Sequence, residues 1–331
     1  MVGLLAKRLV AGVGVLMVLT AVVFFLRQLS PVDPARALVG AKASASVVAA
    51  ERKKLGLDDP VVIQYLRYLG NVVRGDFGES AVTHNAIGTD LGHFLTATTE
   101  LLTVAFVLAA VFALIFAVAT VGRWRGSGAL RMVMVVMSAL PVFLTAVLGI
   151  IVFYEWLHWL PATGQSSYAN APSGPTGFLL IDSLLAGRLG VTWDAVVHLL
   201  LPATCLAIAP AVAMGRVLRS SLQHAMRSDY VRTAKAKGQG ELRVMLAHAL
   251  RNSLGPVLAM GGVQIAAMFA ATLVIEEVFA WPGLGQYAVE AIDIGDFSTI
   301  AAVTLCLGAL YVVANLIVDI LQAAADPRIR I

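Results

Sequence analysis

The sequence predicts an all-α, polytopic membrane protein with six transmembrane helices. Three observations carry this. Of 331 residues, 59% are hydrophobic and only 13% charged, with a mean hydropathy of +0.84. A soluble domain carries about 25% charged residues, so this chain cannot cover a water-facing surface and lipid must cover much of it. Six stretches lack Asp, Glu, Lys and Arg and approach the roughly 20 apolar residues that a span needs. Finally, the basic residues fall mainly on one side of the resulting topology. The net charge of +4 belongs to that asymmetry and implies no nucleic acid.

The six stretches are Leu9–Leu26, Leu101–Gly122, Met132–Tyr154, Ala195–Gly215, Asn252–Ile275 and Phe297–Val318. A central charge costs about 3 kcal/mol on insertion scales, which is why charge-free windows are the ones to count. Cys205 and Cys306 lie inside these windows and read as buried thiols, not as a disulfide framework. A further uncharged window, Trp156–Ile181, contains Pro161, Pro172, Pro175 and the polar run Gly164–Tyr168. It reads as a loop with at most a short re-entrant or surface piece.

Even spans put both termini on one side. That side holds Lys7, Arg8, Arg123, Arg125, Arg131, the basic segment Arg216–Arg251, Arg328 and Arg330, and is therefore predicted to be cytoplasmic. The first stretch runs 18 residues, longer than a secretory h-region of about 7–15. The nearest small-x-small site, Ala41–Ala43, lies well beyond it, so an uncleaved helix is expected.

The predicted organisation is a first transmembrane helix over 1–29 and an extracytoplasmic helical loop over 30–96. A five-helix membrane domain over 97–322 carries a cytoplasmic loop at 228–253, and a tail follows over 323–331. In the outer loop, Asp59–Pro60 reads as N-cap and N1. Val62, Tyr65, Leu66, Leu69, Val72 and Val73 recur at helical spacing, and Gly75 is a stop. This amphipathic helix is expected outside the membrane, packed on the bundle as a lid.

Much chemistry is missing. None of the six lysines is followed by Ser or Thr, so there is no P-loop. The histidines form no H-E-x-x-H and no close pairing with cysteine. Gly283-Leu284-Gly285-Gln286-Tyr287-Ala288 matches G-x-G-x-x-A, but it follows a transmembrane helix, so a tight turn after Pro282 is expected instead. No catalytic residue, metal site or cofactor is expected in this chain.

The largest cytoplasmic loop reads DYVRTAKAKGQGELRVMLAHALRNSLGP, Asp229–Pro256. Asp229 can cap a short helix running through Lys237, and Gly238 can end it. A second helix is expected from Glu241 toward Asn252, with Leu242, Met245, Leu246, Ala249 and Leu250 on one face. Arg232, Lys235, Lys237 and Arg243 would point outward, with Tyr230 as an anchor. A basic surface drawn to anionic lipid would explain the charge, but not the glycine-punctuated helix pair.

This segment resembles the cytoplasmic EAA loop of ABC importer permeases, in the form used by the dipeptide/oligopeptide (Dpp/Opp) family. Ala234 and Gly238 match the motif alanine and glycine; Arg232 and Thr233 stand where other importers have Glu-Ala. LGLDDPVVIQYLRYLG…GDFGES (Leu55–Ser80), WLPATG (Trp159–Gly164), EEVFAWPGLGQYAVEAI (Glu276–Ile292) and DPRIRI (Asp326–Ile331) are similar to stretches of its first, B-type permease subunit.

The resemblance implies a type I ABC importer transmembrane domain that forms half of a translocation pathway. Asp229, Tyr230, Arg232, Thr233, Ala234, Lys235, Ala236, Lys237 and Gly238 would form a coupling helix seated in a separate ATPase. Glu276, Glu277, Trp281, Pro282, Gly283 and Gly285 would form an outer gate, or else a rigid turn with solvated acids. The implied partners are a second homologous permease, two ATPase domains or subunits that bind ATP and Mg, an extracytoplasmic solute-binding protein and membrane lipid.

Di- or oligopeptides are the implied substrates, with nickel complexes, glutathione or another small solute as alternatives. An ion-gradient-driven secondary transporter is the rival of another class. It is poorly served by spans without Asp, Glu, Lys or Arg, in which His198 is the one histidine. A scaffold without transport would not need the helix–Gly–helix loop.

Overall fold

A computed structural model describes residues 2–29, 34–40, 43–122, 126–170, 172 and 174–325. Arg123, Arg125 and the basic end DPRIRI, with Arg328 and Arg330, lie outside the described residues. Every regular element among these is a helix, with one isolated antiparallel bridge between Glu79 and Ala86. Helix α1 (Val2–Leu29) is followed by α2 (Pro34–Val39), α3 (Ala45–Lys54) and α4 (Val61–Val73). Next come α5 (Ile87–Val121), α6 (Ser127–Ala139), α7 (Val142–Gly149), α8 (Leu179–Leu185) and α9 (Leu189–Ala225). The remainder is α10 (Asp229–Ala236), α11 (Glu241–Val244), α12 (Leu250–Val278), α13 (Leu284–Ile294) and α14 (Phe297–Ala325).

Five of these stretches are long and apolar enough to cross a membrane, and the third expected span is broken. Helices α6 and α7, the latter prolonged by a π-helical segment Ile150–Trp156, meet at 110°. Pro141 lacks an N–H, and its ring pushes Leu140 out of the helical region, to ψ 137°. The pair makes a sixth span only if its two arms are counted together. In α9, by contrast, Pro202 and Pro210 are absorbed without a break.

The core is the pairing of α5 with α9. Ala105, Ala109, Ala113 and Ala117 recur every four residues along α5, and Ala203, Ala207, Ala211 and Gly215 along α9; the alanines are all essentially inaccessible. Small residues at this spacing let two backbones approach closely, which matters where lipid gives no hydrophobic drive between helices. At Gly215 a Cβ would lie 2.5 Å from the Phe116 ring and 3.2 Å from the Ala113 carbonyl. Helices α12 and α14 pack around this pair, and α1 lies against α14, pinned by Arg8–Asp319 at 3.1 Å.

Two expectations for α4 need correction. Pro60, not Asp59, is the N-cap residue, and no side chain caps the helix; Asp59 instead accepts from Arg67 at 2.6 Å. The bundle is met by the side carrying Tyr65, Tyr68, Leu69 and Val72, while Val62, Leu66 and Val73 are exposed. The stop is as expected: Gly75 has φ +74°, and the N–H groups of Gly75 and Asp76 bond the carbonyls of Val72 and Asn71, a Schellman ending.

The loop between α7 and α8 is tied at both ends. Asp194 accepts from the Ser166 hydroxyl at 2.6 Å and the Ser167 N–H at 2.7 Å. Asp182 accepts from the Thr176 hydroxyl at 2.7 Å and the Gly177 N–H at 2.9 Å. Burial pushes the Asp182 carboxyl up, but these donors outweigh it and hold it below the usual carboxylate range.

Candidate functional site: coupling loop and outer turn

The cytoplasmic candidate is a short helix on a buried base. Helix α10 begins after Ser228, whose hydroxyl bonds back to the Ala225 carbonyl and does not cap it. Asp229 is the first helical residue, not the cap, and still complements the N-terminal dipole. Gly238, at φ +78°, ends the helix; the N–H groups of Gly238 and Gln239 bond the carbonyls of Lys235 and Ala234. This is again a Schellman ending, and the backbone there favours glycine.

Val231 alone among the α10 side chains is buried. Tyr230 is 42% exposed, and Asp229, Arg232, Thr233, Lys235, Ala236 and Lys237 are exposed, with Ala234 half-buried. Their ion pairs are solvent-exposed: Arg232–Asp229 at 3.5 Å within α10 and Lys235–Glu241 at 3.2 Å to the next helix. The second helix of the loop differs from its expected form. Helix α11 passes through a π-helical segment, Met245–Ala249, directly into α12. That extra residue per turn rotates the buried face, so Val244, Met245 and Ala249 are inside while Leu242 and Leu246 are exposed.

The other candidate is the turn after α12. Glu276, read from sequence as lying at a solvated interface, is fully buried, whereas Glu277 is exposed. The Glu276 carboxylate accepts from the Thr98 hydroxyl at 2.6 Å and from the Gly285 N–H at 2.5 Å. It thus sits at the N-terminus of α13, whose dipole favours an anion. Thr98 also accepts from the Leu284 N–H at 2.8 Å.

The glycines make room for this. A Cβ on Gly283 would come within 2.2 Å of the Glu276 carboxylate, and one on Gly285 within 2.8 Å of both that carboxylate and the Leu273 Cα. The G-x-G-x-x-A pattern therefore does cradle a carboxyl group, one supplied by this chain's own glutamate. Trp281 is 1% exposed and donates its indole N–H to the Ala97 carbonyl at 3.0 Å. The Gly164 N–H bonds the Phe279 carbonyl at 2.9 Å, so the WLPATG and EEVFAWPGLGQYAVEAI stretches meet.

Further tethers fix α13 and α14 beside the same end of α5. Tyr287 donates to Asp90 at 2.9 Å and stacks on Phe94 at 4.6 Å; burial pushes its phenol up and keeps it a donor. Asp90 also accepts from the Thr83 hydroxyl. Asp296 accepts from Thr299 at 2.6 Å and from the Ala81 N–H at 2.7 Å. Sequence reasoning missed Thr98, Asp90 and Asp296. Their signal was a polar side chain at the edge of an apolar run, but their partners lie 178 to 215 positions away.

Residues 105–331 match the family described as binding-protein-dependent transport system inner membrane component, and residues 1–90 match its N-terminal counterpart. The chain belongs to this family of importer permeases. Its relatives cover the whole length. The dipeptide transport system permease protein DppB of Alkalihalophilus pseudofirmus is 34% identical over 98% of both chains. The di/tripeptide permease DppB of Pseudomonas aeruginosa is 36% identical over 100% of this chain and 99% of its own. The glutathione permease GsiC of Salmonella paratyphi A is 34% identical over the same shares. The dipeptide/oligopeptide-type permease expected from the loop motifs is thus shown, as an inner-membrane transport subunit.

Proposed function

We propose that this chain forms half of the pathway of an ATP-driven importer of short peptides, and that α10 is its coupling helix. The observation that carries the reading is the exposure of α10. Its tyrosine and charged side chains are accessible and their ion pairs solvent-exposed, yet Val231 of this helix and Val244 and Met245 of the following segment are buried. A rigid polar protrusion of this kind suits docking into a groove of a separate ATPase. The outer turn, Glu276, Trp281, Pro282, Gly283 and Gly285, would act as the rigid outer stop of the pathway, with Glu277 free at its surface. A second permease would complete the pathway, two ATPase domains would bind ATP and Mg, and a solute-binding protein would deliver the peptide. Both termini would be cytoplasmic.

Near-equal identity to dipeptide and glutathione permeases favours a second substrate reading, glutathione, itself a modified tripeptide. The test is uptake into proteoliposomes holding both permeases and the ATPases. Uptake should require ATP inside and binding protein outside and should survive ionophores that collapse ion gradients; uptake that follows the gradient instead would overturn the reading. The ligand retained by the purified binding protein decides between peptide and glutathione. A cysteine in place of Lys54, which is exposed, should react with an impermeant thiol reagent in intact spheroplasts.

A further inference from the structure

Helix α4 packs against the last turns of α1 and not beyond its end. One turn of α4, from Gln64 to Tyr68, meets three successive turns of α1. Gln64 accepts from Gln28 at 2.9 Å, Tyr65 and Tyr68 pack on Phe24 with ring centroids 5.2 and 5.8 Å apart, and the Tyr65 hydroxyl reaches Thr20 at 3.2 Å. The apolar span of α1 runs Ala6–Leu29. At 1.5 Å per residue, Thr20 lies about 13 Å inside the Leu29 end. A helix turn whose side chains meet Thr20, Phe24 and Gln28 lies beside the last turns of α1, within the length of its apolar span.

The two long sides of α4 suit that position. Toward the protein, Gln64, Arg67 and Asn71 line a cavity of about 520 Å³ shared with Phe24 and Arg27 of α1. Away from it, Val62, Leu66 and Val73 are 69%, 62% and 86% exposed and form one stripe. Helix geometry places Leu69 at one edge of that stripe and Ile63 at the other. On α1, Val22, Phe25, Leu26 and Leu29 are also bare, on the side turned away from the residues that meet α4. The α4 stripe lies beside a helix long and apolar enough to cross a membrane.

We propose that α4 is an interfacial helix that lays Val62, Leu66 and Val73 into the acyl region of the leaflet at the Leu29 end of α1. The partner is bulk phospholipid. An amphipathic helix with one apolar face and a polar face turned to water or protein is the form that binds in this zone, and Tyr65 and Tyr68 are residue types enriched there. The proposal is independent of which compartment that leaflet faces and of the transported substrate.

The test uses nitroxide labels in the full complex reconstituted in phospholipid, with Cys205 and Cys306 replaced by alanine. Labels are placed singly at Leu66→Cys, Val73→Cys and, as the contrast, Arg74→Cys on the polar side. Power saturation should show Leu66 and Val73 open to oxygen and shielded from a water-soluble nickel chelate, with the ratio inverted at Arg74. Equal access to the nickel chelate at all three sites would overturn the proposal. So would shielding of Leu66 and Val73 that develops only when the solute-binding protein is added, because the stripe would then be a protein-docking surface.

Discussion

At the outer turn, Glu276 is fully buried and gives both carboxylate oxygens to donors of this same chain. At the coupling loop, Asp229 and Arg232 are 96% and 80% exposed and hold each other only at 3.5 Å. Both regions are helix ends built around glycine. At Gly283 and Gly285 the glycine makes space for a neighbour, while at Gly238 it supplies a left-handed φ and its Cβ would meet nothing within 4 Å. The contrast separates two kinds of functional residue. In the outer turn the cost of burying a carboxylate is offset inside the fold, so a change there damages the fold first. In α10 the polar groups remain available to a partner, so a change there damages docking first.

The largest effect is expected at Gly285. Gly285→Val would drive a side chain into the Leu273 backbone and displace Glu276, leaving the Thr98 hydroxyl and an α13 N–H without acceptors. Overpacking costs about 1–3 kcal/mol, and each orphaned buried donor costs about 1–3 kcal/mol more. A clear fall in Tm in detergent and loss of uptake should follow, with Gly283→Val next in severity. A variant that keeps its Tm while losing uptake would make the turn a moving gate rather than a rigid stop.

Gly238→Val should show the opposite pattern. A β-branched residue in the left-handed region costs roughly 1–2 kcal/mol locally, so Tm should barely move while substrate-stimulated ATPase activity and uptake fall together. Gly238→Asn should retain both better, since asparagine tolerates that φ. If Gly238→Val lowers Tm as much as Gly285→Val does, the contrast between the two ends fails.

Tyr230→Ala sharpens the same point on a smaller scale. An exposed aromatic anchor truncated at an interface typically costs about 2 kcal/mol of docking, roughly 30-fold in affinity. Titration of the permease pair with the purified ATPase should show that loss at unchanged Tm.

The smallest effect concerns Asp182. Its carboxyl is held below the usual range, so its contribution is present above the unfolded value near pH 4 and is lost as pH falls through the lower folded value. Protease resistance of the loop over 165–188 should be flat from about pH 8 to pH 5 and fall below about pH 4. Asp182→Asn should loosen the loop at pH 7 and flatten that acid dependence.

Charge-free length alone placed five spans, because excluding charge from lipid is a strict demand that a single stretch of sequence records. The break in the third was also legible at Leu140–Pro141, but the uncharged run on both sides masked it. The glycine stops at Gly75 and Gly238 were readable because a left-handed helix end is a local matter. The buried role of Glu276 was not, because it depends on Thr98, which lies far away in sequence. The face of α11 was misread for a different reason: a π-helical turn adds a residue without leaving a mark in the hydrophobic pattern. The four-residue alanine ladders of α5 and α9 were in plain view, yet alanine counts as merely apolar until two such ladders are set face to face.

The broken third span bears on how the chain enters the bilayer during synthesis. Arms of 13 and 15 residues, Ser127–Ala139 and Val142–Trp156, reach only about 20 Å each, short of the roughly 30 Å hydrocarbon core. Neither arm can cross by itself, and non-helical backbone at the break is tolerated only where it is buried against protein. The insertion machinery must therefore hold this segment until α9 and α12 emerge to pack against it. The segment's final position is settled by helices translated after it, and truncating the chain before Asn252 should leave it unable to integrate stably.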